Sequence, residues 1–473
     1  FVDYKLVRAK TNKNGSKAVV KNVGQVDGPI EVNVIKNNQV VETQWIEPGK
    51  GRRSVDLITA EADEIVINQN KHIPELYRSN NRWAEQGLFG KIEPIKLEFL
   101  IGDNEPNRTN IFWTPVVAGN AYDKLMLGAA IHNNALPMNR FQYLVAPMYS
   151  FGGNRVSGIA EFNYVTLPKN AFRISRFGMS VKSFSAEQNN LTIERSPFLA
   201  LTPYWSADLG KKGDATPWSH NLLFQGVYNM SDNSGLRYGH SGAFGQYSVD
   251  YKKRDLQSKT KLRVDYIQTN FNFGLIDDNS YAMRLHAEST NKFRYLKNKM
   301  SRYLELRLFA GTIMIDNTSV PVGSDIISDD RLLFSLNGTN GMQDLFFENY
   351  YFGRFETDGL WGAQREENMG AFKTGGELLG TWMTSANIYM QLPVKYLGMF
   401  GAFADLGAFG NSSTTNLAAN VGLGMRLGDI FGLYFPLYST DNITQNMGGY
   451  AERIRFTLRL NPVNQLNFRK LIN

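Results

Sequence analysis

The sequence predicts an all-β chain: a small β-sandwich followed by a transmembrane antiparallel β-barrel of about sixteen strands, within a range of about 12–16. Three observations carry this. Residues 452–460 alternate Ile454, Phe456, Leu458 and Leu460 with Arg453, Arg455, Thr457 and Arg459. A strand sends alternate side chains to opposite faces, so one face is apolar and the other is cationic. The same alternation recurs through most of the chain. Finally, aromatic residues reach 12%, with 43 glycines, yet hydrophobic content is 42% and mean hydropathy −0.32. No apolar run is long enough for a membrane helix, whereas a barrel whose lumen is wet keeps its average polar in this way.

Residues 1–69 read as a small β-domain. Residues 16–23 are strand-like, and Ile30, Val32 and Val34 alternate with Glu31 and Asn33. Asn37-Asn38 turns into 40–46, and Pro48-Gly49-Lys50-Gly51 turns into 54–67, both by residues that suit tight turns. An immunoglobulin-like half-sandwich on the periplasmic side is the simplest architecture. Residues 70–91, with Pro74, Asn80, Asn81 and several charges, read as a linker, and 92–473 as the barrel. The abrupt start at Phe1-Val2-Asp3-Tyr4, with no signal peptide, suggests a mature fragment or the ordered part of something longer.

In the barrel region 124–133, 141–150, 156–166, 171–184, 190–205, 219–229 and 245–254 are successive strand candidates. Leu262, Val264 and Tyr266 then face away from Lys261, Arg263 and Asp265, after which Phe271 and Phe273 slip phase, predicting a bulge or bend. Met283, Leu285 and Ala287 oppose Arg284, His286 and Glu288, and Leu304, Leu306, Leu308 and Ala310 oppose Tyr303, Glu305, Arg307 and Phe309. Further candidates are 345–355, 373–394, 399–409, 417–427, 432–438 and the terminal strand. Strands this long suit a tilted membrane span better than a soluble sandwich or propeller. Residues 317–344 fall where a short turn is expected and leave the strand count open by about two. The facing predicts that Leu306→Arg costs roughly 2–4 kcal/mol and Arg307→Leu little.

The net charge of +7 is spread along alternating strands, which argues against nucleic acid as a partner. With no cysteine there is neither a disulfide framework nor a thiolate metal site. His72, His132, His220, His240 and His286 form no four-residue pair and no HExxH. Nucleophile-elbow, Walker and dinucleotide-binding fingerprints are missing too. Asp325, Asp329 and Asp330 could hold Ca²⁺, although a solvated loop is the simpler reading. The segment 356–368, with Arg365, Glu366 and Glu367, suits either a lumen plug or an exposed loop. No catalytic, cofactor-binding or metal residue is therefore assigned, and no cofactor is expected.

Two resemblances attach to particular residues. Residues 4–67, followed by His72-Ile73-Pro74-Glu75, Asn80-Asn81-Arg82 and Gly119-Asn120-Ala121-Tyr122-Asp123-Lys124-Leu125-Met126-Leu127-Gly128, resemble the C-terminal region of M1-family (gluzincin) aminopeptidases of the Bacteroidota type. The resemblance implies a zinc peptidase domain upstream of Phe1, while the family's HExxH and GxMEN motifs have no counterpart here. The barrel is also similar to the Omp85 superfamily: Asn120, Asp123, Leu127 and Gly128 open it, and Phe346-Phe347 leads into Gly359-Leu360-Trp361-Gly362. There Trp361 stands at the arginine of that superfamily's loop motif. Leu392-Pro393 and Phe403-Ala404-Asp405-Leu406-Gly407 follow, and no POTRA repeat is present. Together these imply the cell outer membrane, with lipid as partner and other barrels or lipoproteins as companions. The expected function is a barrel anchoring a periplasmic peptidase-like region. A scaffold subunit of an assembly or secretion complex, or a porin, is the alternative.

Overall fold

The computed structural model describes residues 2–459 except 25, 48, 76–77, 79, 86–94, 103–108, 135–138, 169–171, 187–195, 211–215, 234–235, 274–275, 297–301, 318, 323–324, 329, 357–358, 377, 395–396, 446 and 448. It divides into two compact units, Phe1–Thr114 with Ala130–Gln142, and Pro115–Ala129 with Tyr143–Asn473.

The first unit contains β1 (Tyr4–Asn12), β2 (Gly15–Asn22), β3 (Ile30–Lys36), β4 (Gln39–Ile46), β5 (Gly51–Leu57), β6 (Glu64–Ile67) and β7 (Arg82–Ala84). They form two sheets, β1-β2-β5 and β4-β3-β6-β7. Leu6, Val20 and Leu57 from one sheet and Ile30, Val32, Val34 and Ile65 from the other share one core, which makes this a β-sandwich. Asn37 and Asn38 both take positive φ, 50° and 61°, as the two-residue hairpin turn requires. Within the span read as a linker, β7 extends the second sheet through Ile65↔Trp83. Nearby, the buried Glu75 carboxylate accepts Tyr4 N at 2.8 Å and Asn68 Nδ2 at 2.9 Å.

The large sheet uses β8 (Ile95–Phe99), β9 (Thr109–Asn120), β10 (Lys124–His132), β11 (Phe141–Ser150), β12 (Arg155–Thr166), β13 (Ile174–Ala186) and β14 (Ser196–Asp208). It continues through β15 (Trp218–Asn233), β16 (Leu236–Lys252), β17 (Leu256–Phe273), β18 (Ile276–Leu296) and β19 (Arg302–Asn317). Between β19 and the next barrel strand lie a hairpin, β20 (Ser319–Val322) and β21 (Asp325–Ser328), and a small pair, β22 (Phe334–Ser335) and β23 (Leu379–Gly380). The barrel then resumes with β24 (Trp382–Gln391), β25 (Phe400–Gly410), β26 (Thr415–Leu427), β27 (Phe431–Ser439) and β28 (Arg455–Leu458).

The sheet closes on itself as a barrel of seventeen strands. This corrects the expectation of about sixteen antiparallel strands. Two strands outside the sequence candidates, β8 and β9, join the ring while the candidate 345–355 leaves it; β8 pairs with β9 in parallel, Ile95↔Thr109 to Phe99↔Trp113. Its alternation is that of a wall strand: Ile95, Leu97 and Phe99 are exposed, while Lys96 and Glu98 on the other face form an ion pair of 2.6 Å. From β12 onward every neighbouring pair is antiparallel.

Four further expectations are corrected. The bulge expected near Phe271 is absent, since β17 pairs β16 and β18 without a register break. Residues 345–355 are not a strand, and 373–381 do not belong to the wall. The terminal segment is a single helical turn, Tyr450–Arg453, followed by only four strand residues, and Leu460 lies outside the described residues.

Along the wall the two faces differ as the alternation requires. Leu262, Tyr266, Leu308, Leu406 and Leu417 point outward and are exposed, Leu417 by 74%. A continuous exposed apolar belt of this kind belongs in lipid rather than water. Aromatic pairs rim it: Trp218 lies 4.5 Å from Tyr251, and Trp205 stacks on Phe224 at 5.5 Å. Inward, Asp265, Arg284 and Arg307 are buried.

Candidate functional site

Residues 330–381, between β19 and β24, carry almost no repeating pattern, and those of them that are described fold inside the barrel. They are hydrogen-bonded to backbone and side-chain groups of the wall taken from around the ring. Ala121 N donates to Phe352 O at 2.7 Å, Gln225 Nε2 to Phe346 O at 3.2 Å, and His240 Nε2 to Leu345 O at 2.6 Å. The Tyr350 hydroxyl reaches Gly119 O on β9, and Lys182 Nζ on β13 reaches Phe347 O. Farther round, Arg307 Nη1 donates to Met369 O at 2.7 Å and Asn387 Nδ2 to Gly370 O at 3.0 Å. Only a segment in the lumen can touch β9, β13, β15, β16, β19 and β24 at once. The inserted segment is a plug.

Two anchors fix it. Asp405 on β25 accepts Lys373 N at 2.8 Å, Lys373 Nζ at 2.9 Å and Asn387 Nδ2 at 3.0 Å. Arg455 on β28, fully buried, donates to the carbonyls of Asn337, Phe372 and Glu366. An apolar cluster joins plug residues Phe334, Leu336 and Phe372 to wall residues Phe309, Met383 and Phe409. Gly338, at φ 78°, has no room for a Cβ against the Glu366 carbonyl, so the plug crosses itself there at a position only glycine fills.

The segment 356–368, for which plug and exposed loop were both open, contributes the buried Gln364, Arg365 and Glu366. Trp361, at the place of the loop-motif arginine, is in a one-turn helix and 38% exposed. An internal cation that braces the plug is Arg354, which donates to Gly341 O at 2.9 Å, Asp344 O at 3.0 Å and Asp344 Oδ2 at 3.0 Å, and stacks over Phe347 at 4.3 Å. Sequence reasoning missed it because Phe352-Gly353-Arg354-Phe355 lay inside a stretch read as a strand. At the barrel's opening motif the role is architectural: Asp123 accepts Asn120 Nδ2 at 3.0 Å, Ser150 Oγ at 2.7 Å and Ser185 N at 2.9 Å, tying β9 through β13 together.

Beneath the plug the lumen keeps a cavity of about 630 Å³. It reaches the β26–β27 turn at Gly428 and Asp429, and Asp429 is 82% exposed there, so the cavity is a vestibule open at that end. Its wall supplies nine cationic side chains against four carboxylates, and the plug supplies four carboxylates and no cation. The signs interlock: Arg263–Glu348 is 2.8 Å, Arg307–Glu288 2.9 Å, Arg426–Glu367 2.8 Å and Arg459–Glu366 3.0 Å. His286 lines the vestibule and lies 3.4 Å from Asp265, while His132 is buried in the first unit against Phe112. Asp329 and the side chain of Asp325 lie outside the described residues. Among the described residues no three histidine or carboxylate side chains converge as metal ligands.

The fold and the site together define a plugged β-barrel with a charged vestibule. No family profile and no curated protein matches the chain. Among solved structures it is similar to CdiB from Acinetobacter baumannii, with TM-score 0.35 and 11% identity over 73% of this chain and 58% of that one. It is also similar to BamA from Haemophilus ducreyi lacking POTRA domains 1–3, with TM-score 0.34 and 12% identity over 73% and 68%. The chain thus spans less than two thirds of CdiB. Likenesses this loose assign neither activity nor partner.

Proposed function

We propose that this chain is a non-conducting outer-membrane barrel that serves as an anchor. The observation that carries the reading is the plug, whose backbone is bonded to strands around the ring and whose anchors, Lys373–Asp405 and Arg455, are buried. A barrel whose lumen is filled by its own bonded core offers lipid a wall and offers solutes no passage. That favours an anchor over a porin.

What is anchored is the finer part of the proposal: a peptidase-like region of M1 type, preceding an immunoglobulin-like sandwich on the periplasmic side. Support for it rests on the residues that resemble that family, from Tyr4 through Gly128. Isolating the protein from outer membranes and mapping its peptides tests both parts. A species much heavier than 53.4 kDa, with HExxH in upstream peptides, is expected. A species of this mass alone in the outer membrane overturns the peptidase anchor, and recovery only from soluble fractions overturns the membrane reading.

A further inference from the structure

Three successive inward positions of β17, Lys259, Lys261 and Arg263, are all cationic and all line the vestibule. Inward side chains of one strand repeat every about 6.8 Å, which is also the spacing of alternate side chains in a second extended chain laid alongside. The ladder is only partly used. Lys259 is 3.7 Å from Asp250, and Lys261 is 3.4 Å from Glu288. Both distances are longer than a good charged hydrogen bond of about 2.8 Å. Glu288 is already engaged by Arg307 at 2.9 Å, so Lys261 holds the second claim on it.

The third rung shows what the ladder accepts. Arg263 Nη1 bonds the Glu348 carboxylate at 2.8 Å while its guanidinium rests on the Phe244 ring at 3.6 Å. The plug has therefore placed a carboxylate on the innermost rung and left the outer two toward the open end. The next two strands round the wall interleave both signs, Glu288 and Lys292 on β18 and Glu305 on β19. Such a lining repels a compact polyanion from the carboxylates and suits a chain whose charges alternate with neutral backbone.

We propose that the vestibule binds an extended peptide bearing carboxylates at alternate positions, laid along Lys259 and Lys261 and ending at Arg263. This deepens the plugged-anchor reading and rests on it, because the plug forms the floor of the site. The test uses the full chain in detergent micelles and a short fluorescein-labelled peptide of alternating glutamate and threonine, followed by fluorescence anisotropy. Saturable binding is expected, unaffected by Lys253→Gln in the neighbouring turn and weakened about tenfold by Lys259→Gln with Lys261→Gln, two half-exposed pairs contributing roughly 0.7 kcal/mol each. Added salt should weaken it further. Absence of saturable binding, equal binding by the double variant, or equal binding of a lysine–threonine peptide overturns the proposal. Displacement by inorganic triphosphate at the same concentration as unlabelled peptide overturns it too, in favour of a general anion site. The double variant leaves Arg263–Glu348 and the plug anchors in place. A full chain that melts cooperatively yet binds no peptide sinks the peptide site while leaving the plug standing, and an unchanged melting temperature in the double variant assigns its weaker binding to the two lysines rather than to a disturbed plug.

Discussion

The wall from β15 to β19 and the terminal edge at β27–β28 hold together by different means. β17 and β18 run 18 and 21 residues and pair residue by residue from Leu256↔Phe293 to Phe273↔Ile276. β28 pairs β27 over four positions only, from Phe431↔Leu458 to Tyr434↔Arg455. Besides its neighbours in the closed ring it also pairs with the plug: Phe456 N donates to Ala363 O at 3.1 Å, Arg365 N to Phe456 O at 2.9 Å, and the Arg455 side chain holds three plug carbonyls. The wall is a self-supporting ladder, whereas the edge is stapled from inside. A plug in this barrel is therefore part of the last strand's pairing as well as a stopper.

That contrast is broken most severely by replacing residues 332–378 with a short flexible link. The expected result is loss of hydrogen-exchange protection at β27–β28 with protection retained at β16–β18. Uniform loss across both would mean that the wall also depends on the plug. Arg455→Leu is next. Leaving three buried carbonyls without their cation should cost on the order of 3 kcal/mol, read as a lower unfolding midpoint and faster proteolysis near the 440–454 connection.

A matched pair on β19 sharpens the comparison of faces. Leu306→Arg should cost roughly 2–4 kcal/mol in lipid. Arg307→Leu, expected from the alternation alone to be cheap, should cost about as much, on the order of 3 kcal/mol. Arg307 serves Met369 O at 2.7 Å, Asn387 Oδ1 at 3.1 Å and Glu288 at 2.9 Å. Equal midpoint shifts for the two variants support a lumen that is packed, and a negligible shift for Arg307→Leu supports a wet one.

The smallest effect lies in the sandwich. Burial pushes the Asp3 carboxyl up to about 7 from 3.8, against the pull of Arg140 at 3.2 Å. The folded unit then holds a proton that the unfolded chain releases, so its stability falls as pH rises from near 4 through 7 and is flat above. Thermal midpoints of this unit should drop between pH 5 and pH 8, and Asp3→Asn should flatten the profile and raise the midpoint at pH 8.

The wall was legible because it meets two solvents. Leu304, Leu306 and Leu308 had to be apolar for lipid and Glu305 and Arg307 polar for the lumen, so period two is written into the residues themselves. The plug is mostly buried, and its burial follows from wall side chains more than a hundred positions away, as Lys182 to Phe347 shows. The pair Phe346-Phe347 consequently read as the start of a strand. Asp405 stood out in a short motif, yet its role depends on Lys373, which nothing local announces. β8 was missed because five alternating residues beside an irregular stretch give too short a signal, and a parallel partner is not expected in a barrel of hairpins.

The central claim is that the plug seals the lumen, and planar-bilayer conductance tests it directly. Purified protein should give no steady channels, while the variant lacking 332–378 should give stable ones. Steady, ohmic channels from the intact protein would contradict it.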